Sequence, residues 1–122
     1  MIYVRKKTKG FGINKQIEGH YENGQKAILI EDLATDGMTK AMFVETLRKS
    51  GLEVSDIFVI FYYDVVDINK TPFASMNVKI HYLCTWKNII NVISNEKLFT
   101  EKEINNLKIF LDNPEVWRKN NA

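Results

Sequence analysis

Two adjacent carboxylates stand beside a turn of threonine, aspartate and glycine in the stretch AILIEDLATDGMTKAMF, residues 27–43. Glu31 and Asp32 follow an apolar run that is typical of a buried strand, and a helix-like pattern begins soon after them. Two ionised carboxylates would repel a phosphate bound at the turn, so they need another partner. A vicinal diol that donates hydrogen bonds would serve, and so would a hydrated Mg²⁺ ion, which uses few protein carboxylates.

The turn that follows the acids has the features of an anion site. The first backbone N–H groups of a helix lack partners within the helix, and the helix dipole adds partial positive charge there. Glycine lets the backbone approach a phosphate closely, and threonine hydroxyls add donors. The residues predicted to hold a phosphate are Thr35, Asp36, Gly37, Met38 and Thr39. A phosphoribosyl group with a metal-bound diphosphate combines a phosphate, a diol and a metal, and therefore suits both acids and turn.

A basic segment, RKKTKGFGINK, precedes the acid-pair strand. Its cations are Arg5, Lys6, Lys7, Lys9 and Lys15. The segment is either a solvated loop, a nucleic-acid contact, or a set of charges that stabilises a departing anion. The net charge of only +2 does not indicate a general affinity for nucleic acid. Many like charges without apolar periodicity predict a loop that is disordered until a ligand binds.

Length and composition are those of one globular domain over residues 1–122. Hydrophobic residues make up 45% and charged residues 26% of the chain. The single cysteine, Cys84, excludes an internal disulfide and is expected to be a buried, inert thiol in a reducing cytosol. No apolar run is long enough for a membrane span, and the start of the chain lacks a signal-peptide pattern. We therefore expect a cytoplasmic protein without a membrane partner.

Apolar, β-branched runs predict strands, and the segments between them predict helices. Strands are expected at Ala27–Ile30, 54–64 and 78–86, short strands at Ile2–Val4 and Ile17–Gly19, helices at 38–50, Lys87–Ser94 and 100–111, and a loop at 66–77. This alternation predicts an α/β fold with a mostly parallel sheet covered on both faces. Ligands of such folds bind beyond the carboxyl ends of the strands, where the acid pair is expected.

Local signals delimit the predicted helices. The first helix should bury Met42, Phe43 and Leu47 on one face and end at Gly51. The last should begin with a capping box from Thr100 to Glu103 and end at Asn113-Pro114. The two histidines, His20 and His81, are expected to be structural.

The stretch ILIEDLATDGMT resembles the phosphoribosyl-pyrophosphate (PRPP) motif of type I phosphoribosyltransferases. The resemblance implies that Glu31 and Asp32 contact the ribose 2′- and 3′-hydroxyls and that residues 35–39 bind the 5′-phosphate. It also implies Mg²⁺ as cofactor, held near the acids through PRPP and water rather than by direct protein ligands. Asp32 is counted with the catalytic residues on this basis.

The basic segment resembles the mobile catalytic loop of orotate phosphoribosyltransferase, placed at about residues 5–16. The resemblance assigns Arg5, Lys6 and Lys9 to the diphosphate leaving group and Lys7 to substrate binding. Fixed cations suit that role because negative charge grows on the departing oxygens. In this family the loop reaches the site of the neighbouring subunit, so a homodimer is implied.

The resemblance runs from Tyr3 to the ending FLDNPEVW, and IHYLCTWKNIINV and this ending look like the alphaproteobacterial orotate enzymes. This chain departs from the family at Phe11, where a histidine is common, and at Val65, where an orotate-binding arginine is common. Family members are considerably longer. The fold implied is a type I phosphoribosyltransferase core that lacks the N-terminal half: the hood, the pyrophosphate loop and the first part of the core sheet.

The expected function is the transfer of a phosphoribosyl group from PRPP to orotate, giving orotidine 5′-monophosphate and diphosphate in pyrimidine (UMP) synthesis. The alternative is a non-catalytic module of the same fold that binds PRPP or a nucleotide, as a remnant or a regulator. A nucleic-acid-binding domain is a third reading, which leaves the acid pair unexplained. The short chain by itself is expected to self-associate through exposed sheet edges and to turn over orotate very slowly.

Overall fold

The computed structural model describes residues 1–6, 16–35 and 37–121. The elements in chain order are β1 (Tyr3–Val4), β2 (Ile17–Glu18), β3 (Lys26–Ala34), α1 (Met38–Lys49), β4 (Glu53–Tyr62), a 3₁₀ turn (Ile68–Lys70), α2 (Phe73–Met76), β5 (Lys79–Thr85), α3 (Trp86–Asn95), α4 (Glu101–Asp112) and α5 (Pro114–Asn121). The segment 66–77, predicted as a loop, thus contains two short helical turns.

The main sheet has three strands in the order β3-β4-β5, all parallel. Leu29 lies opposite Ile57, and Ile57 lies opposite Ile80. Strands β1 and β2 form a separate antiparallel pair. The predicted α/β fold with a parallel sheet is confirmed.

The connection from β3 to β4 is made by α1, which ends as predicted at Gly51. The N–H of Gly51 donates to the carbonyl of Arg48 (3.0 Å), and the N–H of Leu52 donates to the carbonyl of Leu47 (3.1 Å). With Gly51 at φ +93°, this is a Schellman motif. Leu47 and Leu52 are both buried, so the motif also returns the chain to the core.

The buried face of α1 differs from the prediction at one position. Met42 is 58% exposed, while Ala41, Phe43, Val44 and Leu47 are buried. Met42 belongs to the row of residues four apart that starts at Met38, and Met38 is also exposed. That row faces away from the sheet, so Met42 was wrongly assigned to the core.

The expected cover on both faces of the sheet is incomplete in the part of the chain that the structure describes. On one face, Leu29, Ile57 and Val59 are buried. The other face, called the open face below, exposes Ile28, Ile30, Ile60 and Leu83 by 51%, 68%, 54% and 69%. Alternate residues of a strand point to opposite faces, so the buried side chains share one face and the exposed ones share the other.

Three helices follow the last strand of the sheet, and the starts of α4 and α5 are set by side-chain caps. The capping box is confirmed: Glu103 N–H donates to Thr100 Oγ1, and Thr100 N–H donates to Glu103 Oε2 (2.9 Å). Pro114 ends α4 as predicted but also begins α5, which was not predicted. Asn113 caps this helix, since its Oδ1 accepts from the N–H of Val116 (3.1 Å).

Candidate functional site

Strand β3 carries both predicted acids and continues beyond them to Ala34, which lies opposite Tyr62 of β4. The acid pair was expected at the end of the strand, and the structure places it inside the strand instead. Glu31 lies opposite Val59. Because successive strand residues alternate between faces, the two carboxylates project to different sides of the sheet.

Glu31 is tied to the helix that follows the turn. Its Oε2 lies 3.0 Å from Nζ of Lys40, and the two side chains are only 22% and 12% exposed. Lys40 lies in the first turn of α1, so the ion pair joins β3 to the start of the helix. Sequence reasoning missed Lys40 because only the folded turn brings it back to a residue on the strand.

Asp32 points elsewhere and lines a small cavity of about 250 Å³ at the turn. The lining residues are Lys6, Asp32, Leu33, Ala34, Thr35, Gly37, Thr39 and Lys40. One carboxylate, two ammonium groups and two hydroxyls therefore meet at the amino end of α1. The structure thus brings together Asp32, Lys6 and three of the five residues predicted for the turn.

The start of α1 is built as an anion site would require. Gly37 is the N-cap residue with φ +77°, and no side chain of the described residues caps the helix. The first turn contains no acidic side chain that would oppose the helix dipole. The cavity consequently opens onto the positive end of a helix of 12 residues.

The ring of Phe73 packs against Gly37 of this turn, a contact that the sequence did not indicate. A Cβ added at Gly37 would lie 2.0 Å from Cε2 of Phe73, a side chain that is 3% exposed. Gly37 is therefore required by its backbone conformation and also by the aromatic ring packed against it. The start of α2, through Phe73, therefore packs against the turn.

Several predicted site residues do not line the cavity. Arg5 pairs with Glu18 across the β1–β2 ladder, with Nε 2.6 Å from Oε1. Met38 begins α1 and is 56% exposed. Lys7, Lys9 and Asp36 lie outside the described residues, as does most of the predicted loop at 5–16.

The carboxyl ends of β4 and β5 form the neighbouring part of the same sheet edge. Phe61, Tyr63 and Trp86 pack edge to face there, with ring centroids 5.3–5.6 Å apart. Asp64 follows with a left-handed backbone, φ +53°. Burial raises the pKa of the Tyr62 phenol, and the Asp64 carboxylate adds to that rise. Tyr62 therefore stays a neutral phenol at neutral pH.

The cysteine and the two histidines lie outside the cavity at the turn. Cys84 lies in β5 and is only half-buried, so its expected burial is incomplete. His81 Nε2 lies 2.7 Å from Oδ1 of Asp56 on the open face, outside the cavity. His20 is largely exposed, 4.0 Å from Glu22.

A parallel sheet with a strand–turn–helix and a cavity at the turn is the arrangement of the phosphoribosyltransferase fold, and solved structures confirm the similarity of fold. The chain superposes on the UMP synthase of Leishmania donovani with a TM-score of 0.72, 26% identity, and coverage of 90% of this chain and 23% of that one. Orotate phosphoribosyltransferase from Aeropyrum pernix gives a TM-score of 0.64 at 29% identity, over 76% of this chain and 51% of that one.

Sequence relatives are more specific, and they are orotate phosphoribosyltransferases. The protein of that name from Agrobacterium fabrum is 44% identical over 117 residues, which are 96% of this chain and 50% of the relative. That from Allorhizobium ampelinum is 40% identical over all 122 residues, 53% of its length. The resemblance stated from the motifs is confirmed, and the chain spans about half the length of the curated relatives it matches. No family model matches the chain.

Proposed function

We propose that this chain carries the PRPP-binding part of an orotate phosphoribosyltransferase. The reaction is transfer of the phosphoribosyl group from PRPP to orotate, giving orotidine 5′-monophosphate and diphosphate in cytoplasmic pyrimidine synthesis. The observation that carries the proposal is the cavity in which Asp32, Thr35, Gly37 and Thr39 meet at the positive end of α1. Whole-chain similarity to orotate phosphoribosyltransferases supports the choice of substrates.

Each part of the cavity has a role in this proposal. The 5′-phosphate lies at the start of α1 and accepts hydrogen bonds from backbone N–H groups near Gly37 and from the hydroxyls of Thr35 and Thr39. Asp32 accepts hydrogen bonds from the ribose hydroxyls, which are charge-assisted. Glu31, paired with Lys40, contributes to ribose binding while fixing the helix relative to the strand.

The basic residues of the site bind the diphosphate leaving group in this proposal. The bond from C1 of the ribose to the diphosphate oxygen breaks, and its electron pair leaves with diphosphate. A new bond joins C1 to a ring nitrogen of orotate, and the proton on that nitrogen leaves to solvent. Lys6 lines the cavity and stabilises the charge that accumulates on the departing oxygens. We assign Arg5, Lys7 and Lys9 to the same task, with Arg5 exchanging its Glu18 partner for the ligand.

The donor set fits a magnesium ion that is held mainly by the ligand. No group of three or more histidine, cysteine, aspartate or glutamate side chains suited to a metal occurs among the described residues. Asp32 offers a single exposed carboxylate at the cavity, which suits Mg²⁺ that keeps its waters and binds substrate phosphates. When bound, the ion would neutralise charge on the diphosphate.

The half-length match favours one second candidate, a module of the same fold that binds PRPP or a nucleotide without turning it over. Val65 stands where the family commonly has an orotate-binding arginine, and it offers no charge for a carboxylate. We therefore expect very slow conversion of orotate by the 122-residue chain by itself. We also propose that the protein assembles as a homodimer.

The cavity is tested by titrating Mg-PRPP into the parent chain and Asp32→Asn, with Asp112→Asn of α4 as the control. We expect about tenfold weaker binding for Asp32→Asn, because a charged acceptor of hydrogen bonds is lost, and an unchanged melting temperature. The control should bind like the parent. Unchanged affinity in Asp32→Asn would contradict the proposal, and a large fall in melting temperature would make the carboxylate structural.

Catalysis is tested separately by following orotate consumption. The first function predicts slow but measurable turnover that needs Mg²⁺ and is lost in Asp32→Asn. Tight PRPP binding without any conversion, alone or with the missing half supplied, would favour the non-catalytic module.

A further inference from the structure

Arg48 lies in the last turn of α1, at the opposite end of the helix from the turn at Gly37. At 1.5 Å per residue, the two positions are roughly 16 Å apart along the helix axis. The half-buried guanidinium donates to two backbone carbonyl groups. Its Nε and Nη2 donate to the carbonyl of Val54, with Nε at 3.0 Å, and its Nη1 donates to that of Met76 at 2.8 Å. One side chain therefore joins the end of α1, the start of β4 and the end of α2.

The acceptor on β4 lies at an irregularity of the sheet. Ala27 lies opposite Val54, but Ile28 lies opposite Asp56, so the register shifts by one residue at this point. A bulge disrupts the hydrogen bonds of the ladder locally. The bonds from the guanidinium to Val54 therefore serve the fold at the bulge, whereas the bond to α2 reaches an element outside the sheet.

The segment that contains α2, residues 67–77, is tied together by its own hydrogen bonds. Asp67 caps the 3₁₀ turn, since its Oδ1 accepts from the N–H of Asn69 (3.0 Å). The hydroxyl of Thr71, which is buried, donates to the carbonyl of Ile68 (2.7 Å). We therefore expect the segment to move as one unit.

This segment contacts α1 near both ends of the helix. The ring of Phe73, at the start of α2, packs against Gly37 and is 3% exposed. Three residues later, the carbonyl of Met76 accepts from Arg48. Because Phe73–Met76 is a single helical turn, the two contacts are connected by a short, rigid element. A displacement of α2 at Met76 would therefore reach Gly37 through the ring of Phe73.

We propose that Arg48 is a positioning residue for the turn at Gly37: it fixes α2, and α2 fixes the turn through Phe73. The consequence for the 5′-phosphate rests on the proposed function, which places the phosphate at this turn. Backbone N–H groups bind a ligand well only when they are held within about 0.5 Å of the productive geometry. Arginine suits the task because its planar guanidinium presents donors in a fixed fork. Arg48 itself does not line the cavity at the turn.

The first test is titration of Mg-PRPP into the parent chain, Arg48→Met and Lys49→Met, well below their melting temperatures. Methionine removes the donors and keeps an unbranched apolar side chain. The control, Lys49, is the neighbouring cation of the same helical turn, is 64% exposed and pairs with Glu45. We expect binding at least about fivefold weaker for Arg48→Met and unchanged for Lys49→Met. Unchanged affinity in Arg48→Met would overturn the proposal, since a purely structural residue affects the melting temperature and not the affinity of the folded chain.

A double-mutant cycle tests the route through Phe73. Phe73→Leu removes the ring that contacts Gly37 and keeps an apolar side chain, so it should also weaken binding of Mg-PRPP. In that background, Arg48→Met should cause no further loss of affinity, although it should still lower the melting temperature. Equal losses of affinity in the two backgrounds would show that Arg48 acts by another route, and the proposal would be wrong.

A second readout needs no PRPP and separates this inference from the proposed function. The ring current of Phe73 shifts the Hα resonance of Gly37, which can be followed by NMR in a chain labelled only at its six glycines. Arg48→Met should move this resonance toward its position in Phe73→Leu, and Lys49→Met should leave it in place. An unmoved resonance in Arg48→Met would contradict the positioning role. A moved resonance in a chain whose parent does not bind PRPP would contradict only the proposed function.

Arg48→Lys replaces Arg48→Met in both tests where the methionine variant does not fold. Lysine keeps the charge, but its single nitrogen cannot hold the carbonyl groups of Val54 and Met76 in the fixed geometry of the guanidinium. We expect changes in the same direction as for Arg48→Met and of smaller size. Parent-like affinity together with a parent-like Gly37 resonance in this variant would overturn the proposal.

Discussion

The two faces of the main sheet are built from the same kinds of residue, but apolar side chains are buried on one face and exposed on the other. Ile57 of β4 is fully buried against α1, whereas Ile60 of the same strand is 54% exposed on the open face. Leu29 is buried, and its neighbours Ile28 and Ile30 are exposed. The sequence pattern does not predict which face is exposed, because a strand buried on both faces and a strand with one exposed apolar face have the same composition. What differs is whether a covering element is present.

The two acids of β3 repeat the contrast on a smaller scale. Glu31 shares a poorly exposed ion pair with Lys40, while Asp32 lines the cavity at the turn. Of two neighbouring carboxylates, one is therefore held in an ion pair between strand and helix, and the other faces the cavity. The strand's alternation, rather than the acid motif, assigns these tasks.

The largest expected effect compares the two isoleucines directly. Ile57→Ala should lower the free energy of unfolding by about 2–5 kcal/mol, since it opens a cavity in the core. Ile60→Ala removes the same atoms from an exposed position and should cost under about 1 kcal/mol. Urea denaturation of both variants measures the difference. Similar losses in the two variants would mean that the open face is covered in the free protein.

The turn gives the next effect. Gly37→Ala should cost about 2–4 kcal/mol, because alanine is strained at φ +77° and its Cβ collides with Phe73. Gly24→Ala is the control: its φ is +81°, but nothing lies within 4 Å of the added Cβ. That variant should lose only the strain, about 1–2 kcal/mol. Equal melting temperatures for the two variants would exclude a role for Phe73 in holding the turn.

Loss of the Glu31–Lys40 ion pair should lower the free energy of unfolding by less than the core substitution does. Glu31→Gln should cost about 1–2 kcal/mol, because it leaves Lys40 without its charged partner in a poorly exposed place. Glu45→Gln tests a similar pair on the surface, where Glu45 and Lys49 are 56% and 64% exposed, and it should cost under about 0.5 kcal/mol. Melting temperatures of the two variants, measured at low and at moderate salt, distinguish the two ion pairs. A salt-sensitive loss at Glu31 as small as that at Glu45 would contradict the structural role.

Much of this could be predicted from the sequence, and the failures have a common cause. The parallel strands, α1, its end at Gly51 and the capping box at Thr100 follow from local patterns and were confirmed. Met42, Lys40 and Phe73 depend on how helix and loops dock on the sheet, which no local pattern encodes. The helix after Pro114 is different, because proline is favoured in the first turn of a helix and Asn113 is a good cap. That signal was present in the sequence and was read only as a stop.

The smallest expected effect is a pH dependence on the open face. The Ser55 hydroxyl donates to Oδ2 of Asp56 (2.6 Å), and this bond, followed by that to His81, holds the pKa of the Asp56 carboxyl below its ordinary value. A lowered pKa in the folded state stabilises the protein above the ordinary carboxyl pKa of ~3.9, and the gain is lost as pH falls through the lowered value. Ser55→Ala should therefore raise the pKa of Asp56 toward its ordinary value, as measured by NMR titration of the carboxyl carbon. It should also move the acid loss of stability to slightly higher pH.

The control is Ser75→Ala, since the Ser75 hydroxyl donates to the carbonyl of Pro72 and not to a carboxylate. This variant should leave the titration of Asp56 unchanged. If Ser55→Ala also leaves that titration unchanged, the Ser55 hydrogen bond does not contribute to the lowered pKa of Asp56.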